Sequence, residues 1–215
     1  MTLVGTALRY EVSSRVIISD VDVEAAAGRL LAIRGPSGSG KSSLLALLAA
    51  MVRPTAGTLT LAGQPLRVDD FAARRRVAVI LQGYGLVTAL SGWENVAVPL
   101  QARGFGRADV RRRTAAALDE VGLTPVADHL IEDLSGGQQQ RVAVARALAA
   151  DPEVLLADEP TAELDADNRT RIVDSLVARA RAGAVVVIAS HDPEVVERCD
   201  DVLTLEGGAV VALAG

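Results

Sequence analysis

Several residue types are scarce in this chain of 215 residues, and each scarcity excludes a class of protein. Because Cys199 is the single cysteine, one chain can build neither a disulfide framework nor a cysteine-based metal site. Lys and Arg number 22 against 27 Asp and Glu, and the net charge of -5 does not favour nucleic acid as a partner. No apolar run reaches the ~18 residues of a membrane span, and the first residues lack the layout of a signal peptide. We therefore expect a cytosolic protein without direct membrane insertion.

Lysine is as rare as cysteine, because Lys41 is the single lysine and the other 21 of the 22 Lys and Arg residues are arginine. It lies in Gly35-Pro-Ser-Gly-Ser-Gly-Lys-Ser42, which follows an apolar run at 30–33 and has the G-x-x-x-x-G-K-[ST] spacing of a phosphate-binding loop. The glycines allow consecutive backbone N–H groups to face a phosphate. We expect the ammonium of Lys41 to bind the β- and γ-phosphates of a nucleotide and the Ser42 hydroxyl to ligate Mg²⁺. The predicted nucleotide-binding residues of this stretch are Gly35, Pro36, Ser37, Gly38, Ser39, Gly40, Lys41, Ser42 and Ser43.

Hydrophobic periodicity predicts an α/β fold with a sheet covered on both faces. Residues 3–23 alternate like two or three antiparallel strands. The segments that read as further strands are 58–62, 77–81, 154–157, 185–189 and a pair around 207–208. The segments that read as helices are 41–51, 69–76, 108–121, 136–149, 166–182 and 193–199. We predict one domain over 1–215, in which 1–82 and 152–215 form a catalytic core with an antiparallel β part and 83–151 form an inserted helical subdomain.

Two carboxylates follow the buried strand predicted at 154–157. Asp158 is placed to hold Mg²⁺ through water, which leaves Glu159 to orient and polarise the water that attacks the γ-phosphate. Adjacent acidic residues at a strand end also occur in solvated turns, but a preceding phosphate loop favours the catalytic interpretation. Gln82 follows another buried strand at its carboxyl end, where open α/β sheets place ligand-binding groups.

A second candidate anion site opens the helix at 136–149. In Leu134-Ser-Gly-Gly-Gln138, the hydroxyl of Ser135 and the N–H groups of Gly136 and Gly137 stand at a helix N-terminus. One chain thus carries two phosphate-binding surfaces for a single kind of ligand. Pairing two subunits head to tail, with ATP between the loop of one and the serine-glycine corner of the other, accounts for both surfaces.

With these motifs in this order, nearly the whole chain resembles the nucleotide-binding subunit of an ABC (ATP-binding cassette) transporter. The resemblance implies a P-loop NTPase of ABC type, with a mainly parallel core sheet, that hydrolyses ATP with Mg²⁺. It makes 35–42 the Walker A loop, 134–138 the signature and 162–165 the D-loop. The further roles it implies are adenine stacking by Tyr10, catalysis and Mg²⁺ contact by the Q-loop residue Gln82, ATP contact by Gln138 and Asp165, and the switch histidine at His191. For Tyr10 the alternative is a half-buried strand aromatic.

Within the family, the runs 93–100 and 157–161 are similar to the MacB/LolD/FtsE branch, whose members serve macrolide or peptide export, lipoprotein release or cell-division signalling. That likeness implies a homodimer closing on two ATP molecules, integral membrane permease subunits as partners, and a peripheral location on the inner face of the cell membrane. Trp93 either lines the groove that receives the permease or belongs to the core. Departures from the family pattern are Ser43, Gly83 and the D-loop pair Ala162-Glu163.

Two other functions stay open at this point. One is an FtsE-like mechanotransmission ATPase that regulates cell-wall enzymes without transport. The other is a soluble, non-transport ABC ATPase of DNA repair or translation, which usually carries a long coiled-coil insertion or a second cassette. Neither feature occurs in this sequence.

Overall fold

The computed structural model describes residues 1–215, which form two compact units. The core unit comprises Met1–Val79, Glu153–Glu159 and Leu176–Gly215, and the helical unit comprises Ile80–Pro152 and Pro160–Ser175. This division differs from the predicted one in that 80–82, which include Gln82, as well as 152 and 160–175 belong with the helices. The D-loop backbone packs directly on the start of the signature helix, and this packing accounts for the placement of 160–175.

A six-stranded sheet has the strand order β10-β9-β3-β8-β7-β6. Its strands are β3 (Leu30–Arg34), β6 (Val77–Ile80), β7 (Val154–Asp158), β8 (Val185–Ala189), β9 (Asp201–Glu206) and β10 (Ala209–Ala214). Strands β7, β8, β3 and β9 are parallel, whereas β10 returns antiparallel to β9. Every residue of β7 and β8 is buried. The continuous apolar runs of the sequence therefore mark strands covered on both faces, as predicted.

The N-terminal part of the core unit is a four-stranded sheet in the order β2-β1-β4-β5. Its strands are β1 (Thr2–Val12), β2 (Arg15–Ala26), β4 (Ala56–Leu61) and β5 (Gln64–Pro65), and every pairing is antiparallel. Gly57 has a φ of 87°, and an added Cβ would lie 2.2 Å from the carbonyl oxygen of Ala7. The predicted antiparallel β part is confirmed, and its sheet depends on a glycine where two backbones meet.

Helix α1 (Lys41–Leu48) packs its leucines into the hydrophobic core of the core unit. It ends three residues before the predicted end because Ala50 adopts a left-handed φ of 49°. The unit also contains α2 (Phe71–Arg74) and α7 (Pro193–Val196), and α6 (Ala166–Arg181) runs from the helical unit into it. Helix α2 was predicted over 69–76 and α7 over 193–199, so both are shorter than predicted.

The helical unit is built on α3 (Gly92–Ala102), α4 (Arg107–Glu120) and α5 (Gly136–Ala149). Helix α3 begins with a capping box in which Ser91 and Glu94 satisfy each other's backbone N–H groups. Short 3₁₀ turns at Thr124–Val126 and Ile131–Asp133 lead from α4 to α5. No helix of the protein combines the length and the apolar composition that a membrane crossing requires.

Candidate functional site

The phosphate-binding loop connects β3 to α1 in the core unit. Lys41 is the first residue of α1, and only 9% of its surface is exposed. Its Nζ donates to the carbonyl oxygens of Gly35 at 2.8 Å and Pro36 at 3.1 Å. The loop therefore curls around its own ammonium group, which fixes the position of the single lysine of the chain.

Close approach of a neighbouring strand accounts for Gly35, and a left-handed backbone conformation accounts for Gly40. An added Cβ on Gly35 would lie 2.1 Å from the carbonyl oxygen of Leu205 in β9. On Gly40, whose φ is 104°, it would lie 2.9 Å from Ile18 Cδ1. A side chain on Gly35 would displace the backbone of β9, whereas at Gly40 the Ile18 side chain could move and the left-handed φ is the stronger reason for glycine. The sequence motif predicted these glycines, but only the fold shows which strands they touch.

Asp158 is the last residue of β7 and lies beside the start of α1. It is 6% exposed, it is hydrogen-bonded to the side chain of Ser42, and its Oδ1 has no hydrogen-bond partner. Burial raises the pKa of Asp158, the hydrogen bond from Ser42 opposes that shift, and the neighbouring charge of Glu159 adds to it. A cation at the free oxygen would stabilise the ionised carboxylate.

The side chains of Ser42 and Asp158 match the type and the number of protein ligands that Mg²⁺ takes. Mg²⁺ in nucleotide sites takes one or two protein oxygens and completes its shell with phosphate oxygens and water. Ser42 supplies a hydroxyl oxygen and Asp158 a carboxylate oxygen that is buried and unpartnered. No group of three or more His, Cys, Asp or Glu side chains that could hold a metal without a nucleotide occurs in the structure.

Glu159 directly follows β7 and turns sharply at the strand end, with a left-handed φ of 47°. Its N–H donates to the carbonyl of Ala189 at 2.9 Å, which ties the turn to the end of β8. The side chain is almost buried, and its Oε1 lies 2.7 Å from Nδ1 of His191. Strained backbone of this kind persists where its surroundings hold it, and it is common at functional sites. Here it directs the carboxylate toward the histidine.

Ser190 is a member of this cluster that the sequence did not single out as functional. It is fully buried between β8 and His191, and its Oγ donates to Oε2 of Glu159 at 3.3 Å. The same Oγ accepts from the N–H of Asp192 at 3.1 Å. Both carboxylate oxygens of Glu159 are therefore held, one by Ser190 and one by His191. The only sequence signal was that Ser190 directly follows an apolar run that reads as a buried strand.

The signature segment forms a capped helix start in the helical unit. Ser135 is the N-cap of α5, and its Oγ accepts from the N–H of Gln138 at 3.3 Å. Gln138 reciprocates by accepting from the N–H of Ser135 at 2.9 Å. Because the serine oxygen is the acceptor in this box, its hydroxyl hydrogen stays available to an anion. The predicted helix at 136–149 is confirmed at both ends.

The D-loop, 162–165, packs against the two glycines of the signature, Gly136 and Gly137. An added Cβ on Gly137 would lie 2.7 Å from the carbonyl oxygen of Glu163, whereas one on Gly136 would lie 3.4 Å from the flexible carboxylate of Glu163. Asp165 caps α6, because its Oδ1 accepts from the N–H of Asn168 at 2.8 Å. That bond lowers the pKa of Asp165. Its predicted contact with ATP stays a prediction.

We expect Gly137→Ala and Gly136→Ala to have opposite effects on stability. Alanine has a higher helix propensity than glycine, by up to ~1 kcal/mol in a helix interior, and Gly136→Ala, at the first residue of α5, should show a smaller gain of the same sign. The Cβ of Gly137→Ala would displace the D-loop backbone, and overpacking of this kind costs about 1–3 kcal/mol. Urea unfolding of both variants measures the difference. Equal stabilisation of both would contradict the close packing of Gly137 on the D-loop.

The structure brings part of the predicted site together within each unit. The core unit assembles the phosphate loop, Asp158, Glu159 and His191. Gln82 is exposed and belongs to the helical unit, together with the signature and Asp165. Tyr10 is half-buried in β1 and packs against the core cluster, so adenine stacking by this residue remains a prediction.

Comparison with known proteins agrees with this geometry. A family model described as ABC transporter matches residues 18–162. The uncharacterized ABC transporter ATP-binding protein YbbA of Escherichia coli (strain K12) is 40% identical over 198 residues, which cover 89% of this chain and 87% of that protein. The lipoprotein-releasing system ATP-binding protein LolD of Anaeromyxobacter dehalogenans (strain 2CP-C) is 41% identical over 207 residues, with coverages of 91% and 85%.

A solved structure gives the same result at the level of the fold. The dimeric structure of a post-hydrolysis state of the ATP-binding cassette MJ0796, bound to ADP and Pi, matches with a TM-score of 0.91 at 30% identity. The match covers 99% of this chain and 97% of that one. With the motifs, the fold and these relatives in agreement, the chain belongs to the ABC transporter family and is an ATP-hydrolysing, ATP-binding subunit of that family.

Proposed function

We propose that this subunit drives a separate membrane permease by closing head to tail with a second copy of itself around two ATP molecules. The observation that carries the proposal is the second anion surface of the chain. Ser135 caps α5 with its hydroxyl hydrogen free, and two glycines follow it at the helix N-terminus. The solved relative MJ0796 is dimeric, which supports pairing of two cassettes.

The chemistry of each ATP site follows from the side chains of the core unit. Lys41 binds the β- and γ-phosphates, and Ser42 and Asp158 hold Mg²⁺, which neutralises phosphate charge when it is bound. Glu159 orients the attacking water and polarises its O–H bond toward the carboxylate. Ser190 and His191 fix the two oxygens of that carboxylate and so set the direction in which it accepts. Gln82 and Asp165 complete the site in this proposal, and Tyr10 stacks on the adenine.

Mixing two defective variants tests the head-to-tail arrangement. Lys41→Ala removes the phosphate-binding ammonium, and Ser135→Arg blocks the signature helix. In a head-to-tail heterodimer of these variants, one site carries both defects and the other carries none. Half of the dimers in an equal mixture are heterodimers with one intact site of two, so we expect up to about a quarter of wild-type turnover.

The matched control places both substitutions in one chain and mixes that chain with wild type. Every heterodimer site then has one defect, so activity comes only from wild-type homodimers. The measurement is ATPase turnover of each pure variant and of each mixture at the same total concentration. If mixing the two single variants restores no turnover, the two anion surfaces do not serve one shared ATP.

The permease is tested by purifying tagged Glu159→Gln protein with MgATP in mild detergent from its native membranes. A permease with few spans and a large extracytoplasmic domain would support export or lipoprotein and peptide handling, and a location on the inner face of the membrane. A permease with many spans and a solute-binding protein would point to import. Repeated recovery of the homodimer alone would contradict the proposal of a permease-driving subunit.

Trp93 offers a variant for the same experiment. It is the second residue of α3 and is half-buried, which agrees with a side chain that reaches the surface of the helical unit. Its backbone N–H donates to the carbonyl of Ala127 at 2.7 Å. Loss of the permease from folded Trp93→Ala protein would support a role in docking, whereas melting of the unit with the partner retained would support a core role.

A further inference from the structure

Two polar side chains from different helices bind the backbone that follows Gln82. Residues 84–91, named here the post-glutamine segment, connect the turn after β6 to α3. Arg146 of α5 donates from its guanidinium to the carbonyls of Tyr84 at 2.6 Å and Gly85 at 2.5 Å. Burial lowers the pKa of Arg146 relative to a free guanidinium. The planar fork thus spans two consecutive carbonyls at the start of the segment.

Asn95 of α3 binds the other end of the same segment. This asparagine is only 3% exposed, and its Oδ1 accepts from the N–H of Val87 at 2.8 Å. Its Nδ2 donates to the carbonyls of Val87 at 3.0 Å and Ser91 at 2.9 Å, with a longer contact to Leu90. A buried amide with both ends paired fixes the backbone around it.

The segment is also joined to the signature helix through the 3₁₀ turn before that helix. The carbonyl of Leu90 accepts from the N–H of Ile131 at 3.2 Å. Gln139 of α5 donates from Nε2 to the carbonyls of Ile131 at 3.0 Å and Leu134 at 2.9 Å. Arg146 and Gln139 lie on one helix, so both routes end on α5.

The residues just before the segment are bound differently. Gln82 and Gly83 are exposed, and an added Cβ on Gly83 would meet no atom within 4 Å. The segment 84–91 therefore has side-chain anchors, whereas the turn that carries Gln82 is held by its backbone alone. A short turn without side-chain anchors, next to a segment that has them, is where rotation of the backbone is expected to concentrate.

We propose that Arg146 and Asn95 are positioning residues that fix 84–91 to α5 and to α3, respectively, and confine backbone rotation to Gln82 and Gly83. Because 84–91 is fixed, a displacement of Gln82 is transmitted to the signature helix and is not absorbed by deformation of the loop. The proposal rests on the proposed role of Gln82 in the ATP site. The anchoring itself does not, because it concerns only hydrogen bonds within the helical unit.

Hydrogen-exchange mass spectrometry of the full cassette tests the anchoring. In Arg146→Met and Asn95→Asp, we expect amide exchange of 84–91 to accelerate at least about 10-fold, while α5 keeps its protection. Arg146→Lys keeps the charge but lacks the planar fork that spans both carbonyls, so its acceleration should be smaller. Unchanged exchange of 84–91 in both Arg146→Met and Asn95→Asp would overturn the proposal.

Steady-state kinetics separate positioning from general destabilisation. We expect kcat of Arg146→Met to fall about 5- to 10-fold with KM for ATP within twofold, because phosphate binding by Lys41 is untouched. The control is Arg113→Met, since Arg113 is half-buried in α4, stacks on Phe105 at 4.7 Å and reaches the carbonyl of Ala149. Its kcat should stay near wild type at a comparable loss of melting temperature.

Two kinetic outcomes would count against the positioning role. If kcat of Arg113→Met falls as much as kcat of Arg146→Met, the role of Arg146 is structural and not one of positioning. Faster exchange of 84–91 with unchanged kcat would show that the anchors do not act on Gln82. Either result leaves the head-to-tail proposal standing, because mixing of Lys41→Ala with Ser135→Arg tests that arrangement separately.

Discussion

Glu159→Gln is expected to bind MgATP and to hydrolyse it about 10²- to 10³-fold more slowly than wild type, the size of effect typical of a lost general base. Glutamine has the shape of glutamate and still accepts from Ser190, but its carbonyl oxygen is a weak base. The positive φ of 47° is retained, so the turn at the end of β7 should keep its geometry.

Single-turnover and steady-state ATPase assays measure the loss, and equilibrium binding of ATP shows whether the site remains formed. Glu153→Gln is a matched control, because Glu153 precedes β7 at its other end and pairs with Arg76 at 2.7 Å. That exposed pair contributes little to stability, and the control should retain full turnover. Glu159→Gln turnover close to wild type would remove Glu159 from the catalytic role.

Lys41→Met is expected to weaken ATP binding on the order of 100-fold, which corresponds to a charged hydrogen-bonded contact of about 3 kcal/mol. Lys41→Arg should also bind poorly. Only 9% of the lysine surface is exposed, and its Nζ fits between the carbonyls of Gly35 and Pro36. A planar guanidinium is too broad for that position without displacing the loop.

Titration of each variant with a fluorescent ATP analogue gives the dissociation constants. Arg34→Met is the control, since this exposed cation at the end of β3 binds the Thr204 hydroxyl at 2.9 Å outside the phosphate loop. Its affinity for ATP should match wild type. If Lys41→Arg binds ATP as tightly as wild type does, the compact ammonium is not what the site requires.

The sequence predicted the parts of this protein whose physical cause is local. The phosphate loop is contiguous, so its glycines and Lys41 could be identified from spacing alone. Strands β7 and β8 appeared as unbroken apolar runs because both of their faces are covered. Helix α5 began where it was predicted to begin because Ser135 and Gln138 form a capping box within four residues.

Helix ends that depend on single backbone angles were less accessible to prediction. Helix α1 stops early because of a left-handed φ at Ala50, and alanine carries no signal for that conformation. The assignment of 160–175 to the helical unit depends on packing of the D-loop backbone on Gly137. Neither property can be read from residue type.

By itself, then, the sequence determined the fold class, the positions of the buried strands along the chain and the contiguous phosphate-binding motifs. These features follow from short-range periodicity and spacing. Only the tertiary structure decided which side chains hold Glu159, since Ser190 and His191 are more than 30 residues away along the chain. It alone also showed that Arg146 and Asn95 bind the segment after Gln82. Their partners there are backbone groups, which every residue possesses and which therefore leave no mark in a sequence.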